Sequence, residues 1–205
     1  MRSSNHQFVV WVLSLVLLSL ACNHAIPHFG IGGHYEEGKE QFLRGRGGDM
    51  EVAITALETV VSQDPTYKDS LTYLGRAYYR TNKFQPAYAI LQRALIVNKD
   101  DEMAWMAFGV TQLRLGQLDA GIESLKGGLT LASKAMVNGY QNFLYFDTRG
   151  LIHAQIRRSA FLVTKGIEEK DNIISSTDRL MLLVDDEVNA QRNTRIQNTR
   201  PLYGN

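Results

Sequence analysis

The sequence predicts an all-α chain in which pairs of helices repeat along the fold. Residues 74–95 and 108–129 align without gaps at a shift of 34, and a shift backwards by 34 brings in residues 48–61. The 205 residues include only four prolines, so long helices are possible between them. A helix pair of this size cannot bury its apolar face alone, and we therefore expect neighbouring pairs to stack on one another.

The N-terminal segment has the order of regions found in an export leader. A polar stretch with one cation, Arg2, precedes an apolar run that begins at Phe8 and ends close to Cys22. The run is shorter than the about 20 apolar residues that a spanning helix requires. We assign residues 1–21 to a signal peptide.

The end of this leader resembles the lipobox of bacterial lipoproteins, since residues 18–22 read LSLAC with Ser19 where that family most often has Leu. Cys22 is the only cysteine and cannot form an intrachain disulfide. The resemblance implies cleavage before Cys22 and lipidation of its thiol, and two or three acyl chains hold a protein firmly on a membrane. Asn23 implies the outer membrane, on an undetermined side. An ordinary secretory signal and an uncleaved anchor are the alternatives.

The residues after Cys22 are predicted to form a lipidated tether, residues 22–34, because they carry glycine, proline and no charge. His24, His28 and His34 lie in it without a nearby carboxylate or second cysteine, so neither a metal nor another cofactor is expected. Without residues 1–21 the chain holds 21 basic and 21 acidic residues. Nucleic-acid binders usually show a clustered basic surplus, so nucleic acid is not an expected partner.

The 34-residue pattern resembles the tetratricopeptide repeat. The residues that stand at signature positions are Pro65, Leu74, Gly75, Tyr78, Ala87, Ala94, Trp105, Phe108 and Gly109. The resemblance implies a right-handed superhelical α-solenoid with three repeats at residues 34–67, 68–101 and 102–135, which together form the segment 35–135. The first repeat departs from the pattern, because Glu40 and Gln41 stand where Leu and Gly are expected.

In the tetratricopeptide family the first helix of each pair lines a concave groove that holds protein segments. Carried over to this chain, the resemblance implies a partner groove lined by Arg46, Asp69, Thr72, Arg76, Tyr79, Arg80, Met103, Met106, Val110 and Arg114. Arg46, Arg80 and Arg114 recur at the repeat period and are expected to form a ladder along one edge. The partner would then be a segment with acidic and apolar side chains. The alternative is that these arginines only solvate the surface.

The family's carboxylate clamp, which holds chaperone C-termini, is not matched, because Thr72 and Val110 occupy two of its positions. Beyond the repeats, residues 136–188 keep an apolar spacing typical of helices. We interpret them as C-terminal capping helices, with a docking helix for a partner as the alternative. Residues 189–205 are basic and poor in apolar groups, and this tail is predicted to be disordered.

The sequence offers no catalytic site. His153 is the only histidine beyond the tether, and no nucleophile is paired with it. Asp185, Asp186 and Glu187 form an adjacent run that is typical of a solvated helix face, and no phosphate-binding glycine loop is present. We therefore expect no enzyme. The predicted protein is a lipid-anchored envelope adaptor; the alternatives are a permanent subunit of a larger envelope or surface assembly and a solenoid that binds a small ligand.

Overall fold

The computed structural model describes residues 30–143 and 145–199. The predicted leader, the lipidation site Cys22 and residues 22–29 of the predicted tether lie outside the described residues. The described part contains eight α-helices and no strand. They are α1 Gly30–Leu43, α2 Met50–Gln63, α3 Ser70–Arg80, α4 Phe84–Val97, α5 Glu102–Arg114, α6 Leu118–Asn138, α7 Leu151–Lys165 and α8 Lys170–Thr199. The predicted all-α fold is therefore confirmed.

The first six helices form three antiparallel pairs that stack in chain order. The helices α1 and α2, α3 and α4, and α5 and α6 pack closely within each pair, and each pair also contacts the next. Buried apolar side chains from all three pairs form one continuous core with those of α7 and α8. This is the stacking that the repeats require.

Glycines set the close approach of the two helices in a pair. A Cβ placed on Gly75 would lie 2.6 Å from Cγ of Leu91, and a Cβ placed on Gly109 would lie 2.7 Å from Cγ of Leu125. Real Cβ atoms do not approach other atoms so closely, so no larger residue fits without movement. The same contact thus recurs at the repeat period.

The first repeat makes this contact in a shifted register. There the residue that faces Leu57 is Gly38, whose Cβ would lie 2.7 Å from Cγ of Leu57. The periodic position is Gln41, three residues later, which is close to one helical turn. The helix α1 also ends early, at Leu43, and Gly45 follows with a positive φ of 58°. Glycine adopts this conformation without the strain that a side chain causes.

The C-terminal helices do not continue the stack as a fourth repeat. Helix α7 packs on the outer helix α6, whereas α8 packs on α7 and then crosses the inner helices α5 and α1. With 30 residues, α8 is about 45 Å long, which is enough to cross three helix pairs. None of the described helices combines the length and apolar character needed to span a bilayer.

Residues 189–199, the first part of the tail that the sequence predicts to be disordered, belong to α8 in the structure. Arg192 donates to a carboxylate oxygen of Glu36 on α1, at 2.9 Å. Gln191 donates to the carbonyl of Tyr145, at 3.1 Å. The tail is ordered here by groups that are distant in the sequence, and local composition does not reveal them.

Candidate protein-binding groove

The inner helices α1, α3 and α5 form the concave face of the solenoid, and α8 lies across this face. Met181, Val184 and Val188 of α8 are each no more than 5% exposed. The polar contacts of α8 with α3 involve Arg76, Tyr79 and Arg80 of the predicted groove. The face that was predicted to hold a partner segment therefore holds the chain's own helix.

A buried charge cluster joins α8 to α3. Arg76 Nη2 donates to Oδ2 of Asp185 at 2.6 Å, and Arg80 Nη2 donates to the same oxygen at 2.5 Å. The guanidinium carbons of both arginines also lie over the ring of Phe42 on α1, at 4.8 Å and 3.9 Å from its centroid. Two cations are thus held against one aromatic ring, whose π electrons attract positive charge.

One carboxylate oxygen accepts hydrogen bonds from both of these cations. The side chains of Arg76 and Asp185 are only 5% and 6% exposed. Burial lowers the pKa of Arg80, and the attraction of Asp185 does not fully offset that effect. Burial also acts to lower the pKa of Arg76, but here Asp185 and other contacts outweigh it, so that this pKa is raised. Asp185 is thus the acceptor that the two guanidinium groups share, and Asp178 adds a further attraction for Arg80.

A second carboxylate of α8, that of Asp178, lies next to this cluster. Asp178 accepts hydrogen bonds from the hydroxyl of Tyr79, at 2.9 and 3.1 Å to its two oxygens. Burial raises the pKa of Asp178, against the opposing effects of the Tyr79 hydrogen bond and of Arg114 and Arg80. These groups border a cavity of about 280 Å³, lined by Arg76, Tyr79, Arg80, Asn82, Phe84, Arg114, Asp178, Met181 and Leu182.

The remaining predicted groove residues have other roles in the structure. Asp69 pairs with Lys39 at 3.6 Å and accepts a hydrogen bond from the hydroxyl of Tyr35, so it joins the first repeat to the second. Thr72 donates to a carboxylate oxygen of Asp101 at 2.6 Å and joins the second repeat to the third. These two side chains hold neighbouring repeats together.

The methionines and Val110 are largely core residues. Met106 and Val110 are fully buried, and a Cβ placed on Gly128 of α6 would lie 3.0 Å from Cγ of Met106. Met106 therefore packs against the outer helix. Met103 differs, because it lines a second cavity of about 250 Å³ that Val184 of α8 also borders.

The predicted ladder of three arginines is not assembled. Arg46 lies in the 3-10 turn Gly45–Gly47 after α1, where it is exposed and forms no hydrogen bond or ion pair with the described residues. The cause is the early end of α1. Arg80 and Arg114 both border the first cavity, together with Arg76.

Sequence analysis missed the two carboxylates that contact this face. The acidic run that contains Asp185 is typical of a solvated helix face, whereas Asp185 is 4% exposed. A signal was available in the spacing, because Asp178, Met181, Asp185 and Val188 lie three or four residues apart and so share one side of a helix. The spacing of these four residues is typical of a helix face that is buried and carries two carboxylates.

The acid next to His153 has a structural role. Asp147 accepts hydrogen bonds from the backbone N–H groups of Ile152 and His153, both at 2.9 Å, and its side chain pairs with the ring of His153 at 2.7 Å. Burial acts to raise the pKa of Asp147, but these hydrogen bonds outweigh it and lower the pKa. Asp147 thus caps the start of α7. Over the described ranges no group of three or more potential ligands could hold a metal ion.

The comparisons with known proteins concern the helix pairs that form this face. Residues 48–128 match the family model described as anaphase-promoting complex, cyclosome, subunit 3. The TPR2B domain in the pHsp70 complex of yeast Sti1 has a similar structure, with a TM-score of 0.50 and 18% identity over 66% of this chain and 96% of that chain. The helix pairs therefore have the fold of tetratricopeptide repeats. The predicted tetratricopeptide solenoid, a right-handed superhelix, is thereby confirmed.

Two further tetratricopeptide structures are similar at lower scores. MamA has a TM-score of 0.49 and 18% identity, over 82% of this chain and 81% of that chain. The first TPR of Spaghetti (RPAP3), bound to the HSP90 peptide SRMEEVD, has a TM-score of 0.48 and 18% identity, over 67% of this chain and 95% of that chain. No curated protein matches the sequence.

Proposed function

We propose that this tetratricopeptide protein is a lipid-anchored scaffold of the bacterial cell envelope. Its concave face binds an acidic, amphipathic helix of a protein partner and so supports the assembly of an envelope complex. The observation that carries the proposal is α8 itself, a helix that places one buried carboxylate, one half-buried carboxylate and buried apolar side chains in that face. The yeast Sti1 domain of similar fold was solved as a complex with pHsp70, which agrees with a protein-binding role.

The charge cluster specifies what a partner would offer. Arg76 and Arg80 share one carboxylate oxygen of Asp185, and the pKa of Arg80 is lowered by burial. A partner helix with two carboxylates one turn apart would give each guanidinium its own acceptor. Each guanidinium would then make a charge-assisted hydrogen bond to a carboxylate that it does not share, which favours this partner over α8.

A partner helix would displace only the second half of α8 from the concave face. Its first half is fixed to α7, because the Gln155 amide donates to the carbonyl and hydroxyl oxygens of Ser176 at 2.9 and 2.8 Å, and Ser159 also contacts the Ser176 hydroxyl at 2.9 Å. Beyond Ser176 the polar contacts of α8 are with α3, the Tyr145 carbonyl and α1. The partner helix takes the place of this second half.

A peptide with the sequence of residues 174–192 tests the groove in trans. We expect the labelled peptide to bind a chain with Asp185→Asn more tightly than the wild-type chain, because the internal competitor is weakened. A matched peptide in which the residues corresponding to Asp178 and Asp185 are Asn should bind neither chain. Fluorescence anisotropy measures both. Equal binding of the two peptides would contradict a groove that selects acidic helices.

The anchor is tested separately in cells. A bacterium that expresses the full chain should incorporate labelled palmitate into it, and Cys22→Ser should abolish the label and release the protein from the membrane fraction. Separation of inner and outer membranes then tests the location that Asn23 implies. A labelled Cys22→Ser chain, or an unlabelled wild-type chain, would exclude the lipid anchor.

A permanent structural subunit is the second candidate function, and one observation favours it. Large apolar side chains between residues 136 and 188 are exposed, namely Val137 at 82%, Tyr145 at 73%, Phe161 at 59% and Leu151 at 50%. An exposed apolar patch often marks a binding surface. A permanent subunit should oligomerise when purified alone as Cys22→Ser. Light scattering that shows a monomer would exclude this candidate and favour the scaffold.

A further inference from the structure

The loops that follow the outer helices lie together at one edge of the solenoid. These loops are residues 64–69, 98–101 and 139–150, and we call them the loop edge. The second cavity described above, of about 250 Å³, is bordered by Asp69, Asn98 and Gln141, one residue from each loop. The start of α1 is at the same edge, since the rings of Tyr35 and Tyr67 are 5.5 Å apart.

Exposed apolar side chains concentrate at the loop edge. The described residues include eight exposed large hydrophobic side chains, and five of them belong to these loops or to the helix ends next to them. They are Ile96 at 79%, Val97 at 47%, Val137 at 82%, Tyr145 at 73% and Leu151 at 50%. By contrast, Val52 in the first turn of α2 lies at the opposite edge and is 37% exposed. Single exposed apolar residues are ordinary, but a concentration at one edge indicates a contact surface.

The loop edge also carries unpaired charges. Lys99, Lys134 and Arg149 are exposed and form no ion pair with described residues. Three acids of the same loops are held by the fold, since Asp69 pairs with Lys39, Asp101 accepts from Thr72, and Asp147 caps α7. Asp64 accepts from Thr66 in its own turn, and Asp100 is exposed. The outer surface of the edge therefore combines apolar groups with three unpaired cations and one unpaired acid. Anionic lipid headgroups attract such cations.

The loop edge is also the part of the fold that the proposed anchor reaches first. Eight residue steps separate Cys22 from Gly30, the first residue of α1, and a fully extended chain covers at most about 28 Å over that distance. The last helix returns to this edge as well, where Gln191 contacts the Tyr145 carbonyl. Arg192 is paired with Glu36, and the sequence after it carries Arg195 and Arg200 and no acid.

We propose that the loop edge rests on the membrane interface, with its apolar side chains and Tyr145 among the headgroups and its cations next to lipid phosphates. The inference rests on the proposed lipid anchor. Apolar area and electrostatic attraction add in such interfacial binding, and an acyl chain that is already inserted supplies the proximity. The orientation leaves the opposite edge, where α3 and α5 end, directed away from the membrane.

The single cysteine makes a direct test possible. The chain from Cys22 to Asn205, which contains the eight helices of the described residues, is coupled through Cys22 to maleimide lipids in vesicles that contain phosphatidylglycerol. Hydrogen exchange of backbone amides is then compared with that of the uncoupled chain. We expect slower exchange in residues 98–101 and 139–150 and unchanged exchange in residues 44–49 and 115–117 at the opposite edge.

Two variants separate the membrane contact from general effects of coupling. The triple variant Ile96→Ser, Val137→Ser and Tyr145→Ser should lose the protection. The matched control Val52→Ser with Phe161→Ser changes exposed apolar residues elsewhere and should keep it. Because the coupling is chemical, this result does not depend on acylation in cells, which palmitate labelling reports independently. Equal exchange with and without vesicles would overturn the proposal. Protection that appears without vesicles and grows with protein concentration would also overturn it, in favour of self-association.

Discussion

The repeats and the C-terminal helices are held by different kinds of contact. Within the repeats, a glycine of one helix meets a leucine of its partner helix, as Gly75 meets Leu91, and the contact recurs at the repeat period. The helix α8 adds to its apolar contacts the charge pair of Arg76 and Asp185, which lie 109 residues apart in the sequence. Side-chain size thus fixes the spacing of the repeat helices, whereas a buried charge pair contributes to the position of the helix that covers the concave face.

The largest expected effect comes from removing the carboxylate that both arginines share. Breaking a buried ion pair by removing one partner typically costs about 3–5 kcal/mol, because the other charge is left buried. For Asp185→Ala we expect the second half of α8 to leave the face, so that amides from residue 184 onwards exchange faster while those of α2 and α4 do not. The neighbouring Asp186→Ala is the matched control and should leave exchange unchanged. Protection of α8 that survives Asp185→Ala would show that apolar contacts alone hold it.

Two adjacent glycines of α6 test the role of size in the repeats. A Cβ placed on Gly128 would lie 2.9 Å from the backbone nitrogen of Met106, whereas a Cβ placed on Gly127 would meet nothing within 4 Å. We expect Gly128→Ala to lower the free energy of unfolding by about 1–3 kcal/mol through overpacking. Gly127→Ala should raise it by up to about 1 kcal/mol, because alanine is the better helix former. Urea denaturation of both variants measures the contrast, and equal shifts would refute it.

The first repeat allows the same comparison between a glycine at a close helix contact and a glycine in open space. Gly38→Ala places a Cβ 2.7 Å from Cγ of Leu57 and 3.2 Å from the carbonyl oxygen of Ala53. Because Leu57 can move in part, we expect a loss of about 1–2 kcal/mol in the free energy of unfolding. The control is Gly47→Ala in the turn after α1, where a Cβ would meet nothing within 4 Å. If Gly38→Ala left the free energy of unfolding unchanged, the close approach of α1 and α2 would have to lie at the periodic position Gln41 and not at Gly38.

The sequence predicted the repeat helices well because their determinants are local and recurrent. It did not predict the shifted register of α1, since Gly38 carries no periodic signal and the early end of the helix depends on Gly45. It also did not predict that α8 covers the concave face. The residues next to Asp185 in the sequence are typical of a solvated helix face. The arginines that bind Asp185 lie far away in the sequence, in the second repeat. The chemistry expected of a bound segment, acidic and apolar, nevertheless agrees with that of α8.

The smallest effect concerns the cap of α7. Hydrogen bonds from the backbone of Ile152 and His153 lower the pKa of Asp147 in the folded chain. The ionised carboxylate therefore stabilises the fold above its ordinary pKa of about 4, and this contribution is lost as the pH falls through the lowered value. Asp147→Ala should cost about 1 kcal/mol at neutral pH. The difference between wild-type and variant should shrink below about pH 4. A pH-independent difference in denaturation midpoints would contradict a role for the charge.

The most direct test of the account is a double-mutant cycle between Arg76 on α3 and Asp185 on α8. Arg76→Ala, Asp185→Ala and the double variant are compared with the wild-type chain by chemical denaturation, all with Cys22→Ser. If the buried pair holds α8 in the concave face, the two substitutions should couple by about 1–3 kcal/mol. Additive effects, within about 0.5 kcal/mol, would contradict the claim that this face binds an acidic helix.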